Sequence, residues 1–193
     1  MKTFMWNIPN LLTSLRIVLI PVFLVVFYLP IPYATFWAAV IFVVAAITDG
    51  LDGYIARKYN QHTQFGAFLD PVADKIMVAA ALIAVVEYHN DLWVTIPALI
   101  IVSRELIISA LREWMAEIGK RDSVAVSSLG KVKTTAQMVA LTGLLWNANT
   151  FVLSVGMIAL YIAAILTFWS MYVYLVNAWA DLTAENNSEE AKK

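Results

Sequence analysis

Long apolar runs broken by short polar turns dominate the chain. The first run extends from about Asn10 to Tyr28 and stops at Pro30-Ile31-Pro32. A second spans about Tyr33 to Arg57 and a third about Phe65 to Tyr88. The turn His89-Asn90-Asp91 opens a fourth, which reaches about Glu117; Leu129–Trp146 and the stretch after Asn149 to about Trp179 complete the series. An apolar helix of about 20 residues crosses a bilayer. The pattern therefore predicts an all-α, polytopic membrane protein with six transmembrane helices. Residues 1–9, with Lys2, Phe4 and Trp6 ahead of Pro9, read as a short interfacial lead-in. One membrane domain is expected over 1–180, followed by a polar, frayed tail over 181–193. No repeat or linker marks a second domain.

Composition narrows the class. Of the 193 residues, 61% are hydrophobic and only 14% charged, which excludes an ordinary soluble domain. The absence of cysteine removes disulfides and thiolate metal sites. The first apolar run carries Arg16 and lacks a small-residue cleavage site, so it reads as a retained membrane segment and not a signal peptide. Lysine and arginine are absent from the turns after helices 1, 3 and 5. They gather at the N-terminus, in the 58–64 loop, in the 119–128 segment and in the tail, as Lys2, Lys58, Lys120, Arg121, Lys192 and Lys193. Arg16, Arg57, Lys131 and Lys133 read as helix-end cations on that same side. The positive-inside rule then places both termini in the cytoplasm. Nucleic acid is not an expected partner.

One stretch departs from the apolar background. Asp49, Asp52, Asp70 and Asp74 fall within 26 positions, on the facing ends of helices 2 and 3. Asp49 and Asp52 are three apart and share a helix face; Asp70 and Asp74 are four apart and share another, with Gly66 on the same stripe. A rise of about 1.5 Å per residue sets all four roughly 6–12 Å inside the cytoplasmic helix ends. A carboxylate at the centre of a membrane helix costs about 2.5–3.5 kcal/mol, so four cost on the order of 10 kcal/mol unless compensated. Two hard divalent cations with oxygen ligands and a bound phosphate would compensate them. The small residues Gly50, Gly53, Ala56, Gly66 and Ala67 let a bulky ligand approach. A cation pathway is the alternative reading of intramembrane aspartates. If the site performs phosphoryl-type transfer, the attacking alcohol needs a base. Spacing leaves Asp70 and Asp74 open for that role.

The run Asp49-x2-Asp52-Gly53-x2-Ala56-Arg57-x8-Gly66-x3-Asp70-x3-Asp74 resembles the signature of the CDP-alcohol phosphotransferase family at every fixed position. Eight specified residues make the signal strong. NIPNLLTSLRI, SRELIISALREW and GKVKTTAQM extend the resemblance over nearly the whole chain, and are similar to the bacterial members of the family. The resemblance implies a six-helix enzyme of the bacterial inner membrane, commonly homodimeric, with its site on the cytoplasmic side. It implies two Mg²⁺ or Mn²⁺ ions held by Asp49, Asp52, Asp70 and Asp74, with Asp74 also the general base. It further implies contacts to the CDP moiety from Gly53, Ala56, Arg57 and Gly66. The most similar members use CDP-diacylglycerol as donor and glycerol 3-phosphate as acceptor; inositol phosphate, serine or another alcohol serves elsewhere.

Metals and carboxylates sum to about zero charge, so an anionic acceptor calls for further cations. Lys131, Arg112 and Arg104 are the expected contacts to the acceptor phosphate, with Lys133 on another face of the same helix as Lys131. Plainer roles compete for several of these. Arg57 and Lys58 fit membrane-edge anchors, Arg104 a partner for Glu105, and Arg112 a partner for Glu113 or Glu117. Ala159 and Ala163 form a small-xxx-small pair of the kind that joins membrane helices.

Overall fold

The computed structural model describes residues 8–59, 64–117 and 129–190, and is all-helical there. Six helices follow in order: α1 Ile8–Tyr28, α2 Ala34–Tyr59, α3 Gln64–His89, α4 Leu92–Glu117, α5 Leu129–Trp146 and α6 Thr150–Glu190. The interfacial lead-in expected over 1–9 and the basic 119–128 segment lie largely outside the described residues.

The turns opposite the aspartates are short because each carries its own stop and start signals. Asn90 and Asn147 take left-handed backbone conformations (φ 45° and 44°), and their N–H groups bond back to the Val86 and Gly143 carbonyls. Asparagine tolerates this conformation and ends a helix there. Asp91 and Asn149 then cap the next helix, accepting hydrogen bonds from the Trp93 and Val152 amides at 3.0 and 2.9 Å.

Neighbour relations close the helices into a ring, α1–α2–α5–α6–α4–α3, with α3 also touching α2 and α5 across the middle. Those cross-contacts divide the interior into two compartments. Phe23, Phe42, Leu82, Ile101, Leu141, Leu144 and Leu160 fill the core between them. Where α5 meets α6, a Cβ added to Gly143 would stand 3.1 Å from the Gly156 Cα, so the two backbones are in direct contact. Ala159 and Ala163 are buried in this same core. Their small-residue stripe therefore packs inside the chain and is not an outward face for a second copy.

Among the described residues, four helices contain segments long and apolar enough to cross a membrane: Asn10–Tyr28, Ala34–Ile55, Leu92–Glu117 and Thr150–Val176. α3 and α5 are less apolar, with Asp70, Asp74 and Lys75 on α3 and Lys131 and Lys133 on α5. Leu99, Ile158 and Ile165 on the outer faces of α4 and α6 are all more than half exposed, as expected for lipid-facing side chains. Trp37, Trp93 and Trp146 are exposed near helix ends, where the amphipathic indole sits at the headgroup level.

One detail corrects the sequence reading. The tail expected to fray continues α6 without a break to Glu190, because DLTAENNSEE contains neither glycine nor proline to stop it. Pro71 lies two turns into α3, so one rung of the helix ladder is missing beside Asp70.

Candidate active site

The carboxylates of α2 and α3 converge, and α1 holds them together. Arg16, 1% exposed, sets its Nη1 2.7 Å from Asp49 Oδ1 and pairs through Nη2 with Asp52. Thr13, one turn earlier and fully buried, donates its hydroxyl to Asp70 Oδ1 and stands 3.5 Å from Asp52 Oδ2. Asn10, Thr13 and Arg16 recur every third residue, which makes one polar stripe on an otherwise apolar helix. All three are buried. Sequence reasoning took Arg16 for a membrane-edge cation and passed over Thr13. The three-residue period of polar side chains was the signal available.

Asp74 occupies a different position. It lines a narrow cleft with Arg16 and Asp49 on one side, and on the other a cavity of about 520 Å³ between α3, α4, α5 and α6. That cavity is strongly basic. Lys75, Arg104, Arg112 and Lys133 face it against the carboxylates of Asp74 and Glu105, a net charge of +2.

The four cations are held in different ways. Lys133 Nζ, buried, lies 2.5 Å from Glu105 Oε1, and Arg104 Nη1 is 3.1 Å from the same oxygen. Arg104 also donates through Nη2 to Ser170 Oγ at 3.1 Å, while its buried Nε has no hydrogen-bond partner among the described residues. Lys75 donates to Ser109 Oγ. Arg112 donates to the Tyr174 hydroxyl at 3.3 Å and stacks over its ring, and among the described residues it has no carboxylate partner. Neither Glu113 nor Glu117 takes it. Ser170 and Tyr174 on α6 thus meet the arginines of α4, and Thr167, one turn before Ser170, is fully buried.

Most residues expected in the site fall in these two compartments. Asp49, Asp52 and Asp70 belong to the carboxylate cluster, Asp74 to both compartments, and Arg104 and Arg112 to the basic cavity. Gly53 is half-buried one residue beyond Asp52, and Gly66 is buried one turn before Asp70. The side chains of Ala56, Arg57 and Lys131 lie outside the described set. Lys133, two residues along α5 from Lys131, lines the cavity together with Lys75 of α3.

The donor set suits hard divalent cations, since it offers carboxylate oxygen and no nitrogen or sulfur. Among the described residues, no three such side chains stand as a metal-ligand group in the present arrangement. Arg16 is the cation against Asp49 and Asp52.

The family model for CDP-alcohol phosphatidyltransferases matches residues 6–169. The chain is 60% identical over 177 residues to the CDP-diacylglycerol--glycerol-3-phosphate 3-phosphatidyltransferase of Escherichia coli (strain K12), covering 92% of this chain and 97% of that one. Proteins of the same description from Shigella flexneri serotype 5b (strain 8401) and Shigella boydii serotype 4 (strain Sb227) show the same identity and coverage. The matched region contains the carboxylate cluster and the full basic cavity except Ser170 and Tyr174. The chain belongs to the CDP-alcohol phosphatidyltransferase family.

Proposed function

We propose that this protein transfers the phosphatidyl group of CDP-diacylglycerol to glycerol 3-phosphate, giving phosphatidylglycerol phosphate and CMP. The observation that carries this reading is the double placement of Asp74, which borders the carboxylate cleft and a cavity of net charge +2. The cavity suits a small phosphorylated alcohol. The 60% identity to bacterial enzymes named for this reaction supports the same donor and acceptor.

Asp49, Asp52, Asp70 and Asp74 would hold two Mg²⁺ or Mn²⁺ ions. Such ions neutralise the pyrophosphate and stabilise the departing phosphate. The chain's own residues supply the remainder. Arg112, Arg104 and Lys133 hold the acceptor phosphate, and Arg112 is the guanidinium freest to fork onto it. The free primary hydroxyl of the acceptor then points at Asp74, which takes its proton. A new P–O bond forms to the phosphorus bearing diacylglycerol as the bond to CMP breaks. Gly53, Ala56, Arg57 and Gly66 are assigned to the CDP moiety.

The reaction belongs on the cytoplasmic side of a bacterial inner membrane, with both termini on that side and all six helices crossing. Support for α3 and α5 as spans comes from Ile76, Ile83, Val132 and Val139, apolar side chains on their outer faces. A homodimer remains part of this proposal on the family resemblance alone. The decisive assay measures CMP release from CDP-diacylglycerol with glycerol 3-phosphate, inositol phosphate and serine supplied separately. Release with glycerol 3-phosphate alone is expected; release with either other acceptor in its place would overturn the assignment.

A further inference from the structure

Two side chains of α6 meet both arginines of the basic cavity. Arg104 and Arg112 stand about 12 Å apart along the axis of α4. Their guanidinium carbons nonetheless lie 5.8 and 5.6 Å from the centre of one ring, that of Tyr174, close enough for a cation–π contact. Arg112 Nη2 also donates to the Tyr174 hydroxyl at 3.3 Å. Arg104 Nη2 donates to Ser170 Oγ at 3.1 Å. The Ser170 hydroxyl gives its own proton to the Thr167 carbonyl at 3.2 Å, which leaves its lone pairs for Arg104. Tyr174 is a firm anchor, because it is buried in a small cluster with Ile108 and Met115 of α4.

The cavity's lysines are held from elsewhere. Lys133 is paired with Glu105 and Lys75 donates to Ser109, both on α4. Arg112 has no carboxylate partner among the described residues, so Tyr174 is what orients its long, flexible side chain. Ser170 and Tyr174 also lie past residue 169, where the match to the family model ends, while the four aspartates and both arginines lie within it. An acceptor must offer its hydroxyl to Asp74 and its phosphate to the arginines at the same moment. The span it has to bridge is therefore set by where α6 holds the two guanidiniums.

We propose that Ser170 and Tyr174 are positioning residues that set this span, and that they select acceptors by the spacing between phosphate and hydroxyl. The inference rests on the acceptor being a phosphorylated alcohol that reacts at Asp74.

The test compares glycerol 3-phosphate with 3,4-dihydroxybutyl phosphate, which carries the same diol one methylene farther from the phosphate. CMP release from CDP-diacylglycerol is measured with the whole protein in detergent. The parent should favour the shorter acceptor at least about tenfold in kcat/KM, roughly 1.4 kcal/mol. A Ser170→Ala/Tyr174→Phe double variant loses both hydroxyls and keeps the packed ring. Its preference should fall to within about threefold, with KM for CDP-diacylglycerol unchanged. A selectivity ratio is read on folded enzyme, so a variant that is merely less stable keeps the parent's value. A parent indifferent to length, or a double variant with the parent's ratio, would overturn the proposal.

A double-mutant cycle tests the route. Tyr174→Phe should raise KM for glycerol 3-phosphate about fivefold in the parent and leave it unchanged in Arg112→Ala. Equal effects in both backgrounds would mean that Tyr174 does not act through Arg112, and would also overturn the proposal. A parent that releases no CMP with glycerol 3-phosphate would sink the functional reading itself. Normal turnover with unmoved selectivity would sink the positioning role alone.

Discussion

The Arg16 guanidinium pairs with the Asp52 carboxylate where the two side chains are 1% and 4% exposed. Removing one partner of a buried pair leaves the other charge uncompensated, at a cost of about 3–5 kcal/mol. Arg16→Met should therefore melt well below the parent in metal-free detergent. If Mn²⁺ occupies these carboxylates, adding it should restore more stability to Arg16→Met than to the parent. Equal Mn²⁺ shifts in both proteins would argue against a shared site.

Asp49→Asn, Asp52→Asn and Asp70→Asn each remove a charged oxygen from the cluster and nearly preserve its shape. Each should remain folded and lose at least about a hundredfold in CMP release at saturating Mg²⁺, more than loss of a group that merely orients a ligand. Chelation with EDTA should silence the parent protein. Asp74→Asn should be inactive yet still bind CDP-diacylglycerol, measured by equilibrium binding, if its main task is proton removal. Lost donor binding would mark Asp74 as chiefly a metal ligand.

Arg112 offers the cleanest test of the acceptor cavity, because no carboxylate among the described residues depends on it for neutralisation. A charge-assisted contact is worth roughly 1.5–3 kcal/mol, so Arg112→Ala should raise KM for glycerol 3-phosphate about ten- to a hundredfold. KM for CDP-diacylglycerol should stay nearly constant. Lys133→Ala differs in kind: it strips a partner from Glu105 and should lower the melting temperature as well. An Arg112→Ala variant with unchanged KM for both substrates would move the acceptor site elsewhere.

Much of this architecture was legible in one dimension. Helix ends fall within a few residues of their apolar boundaries, apart from the end of α6, because Asn90, Asp91, Asn147 and Asn149 are local signals that act on their own backbone. The four aspartates were equally plain. Arg16 was misread because its partners lie 33 and 36 residues away, and only packing of α1 on α2 brings them together. That Lys133 reaches the cavity depends on the rotation of α5, which its contacts with α2, α3 and α6 determine and its own sequence does not. The tail was read as frayed from polarity, although polarity alone does not end a helix.

Two glycines should respond oppositely to substitution. Gly143→Val drives a side chain into the Gly156 backbone and the Val152 carbonyl oxygen, neither of which yields cheaply, and should cost about 1–3 kcal/mol. Gly50, beside Asp49, has nothing within 4 Å of an added Cβ, and Gly50→Ala should hold or gain about 0.5–1 kcal/mol through helix propensity. Thermal melts in one detergent compare them directly.

Topology can be read by labelling, since the chain has no native cysteine. Cysteines at Gln61 and Ser123 should react only from the cytoplasmic side, and those at Asn90 and Asn149 only from the opposite side. Reaction of the Gln61 and Asn90 positions from one side would remove α3 from the set of membrane spans.

Because α3 forms a wall of both compartments, a displacement of that helix alters the carboxylate cleft and the basic cavity together. Asp74 and the adjacent Lys75 leave little slack between the two responses. Any placement of α3 favoured by a bound acceptor is thereby imposed on the donor's surroundings. Thermodynamic reciprocity then requires the donor to change acceptor affinity by the same factor. Titrating each ligand in the presence of the other would give that factor twice, from independent binding curves.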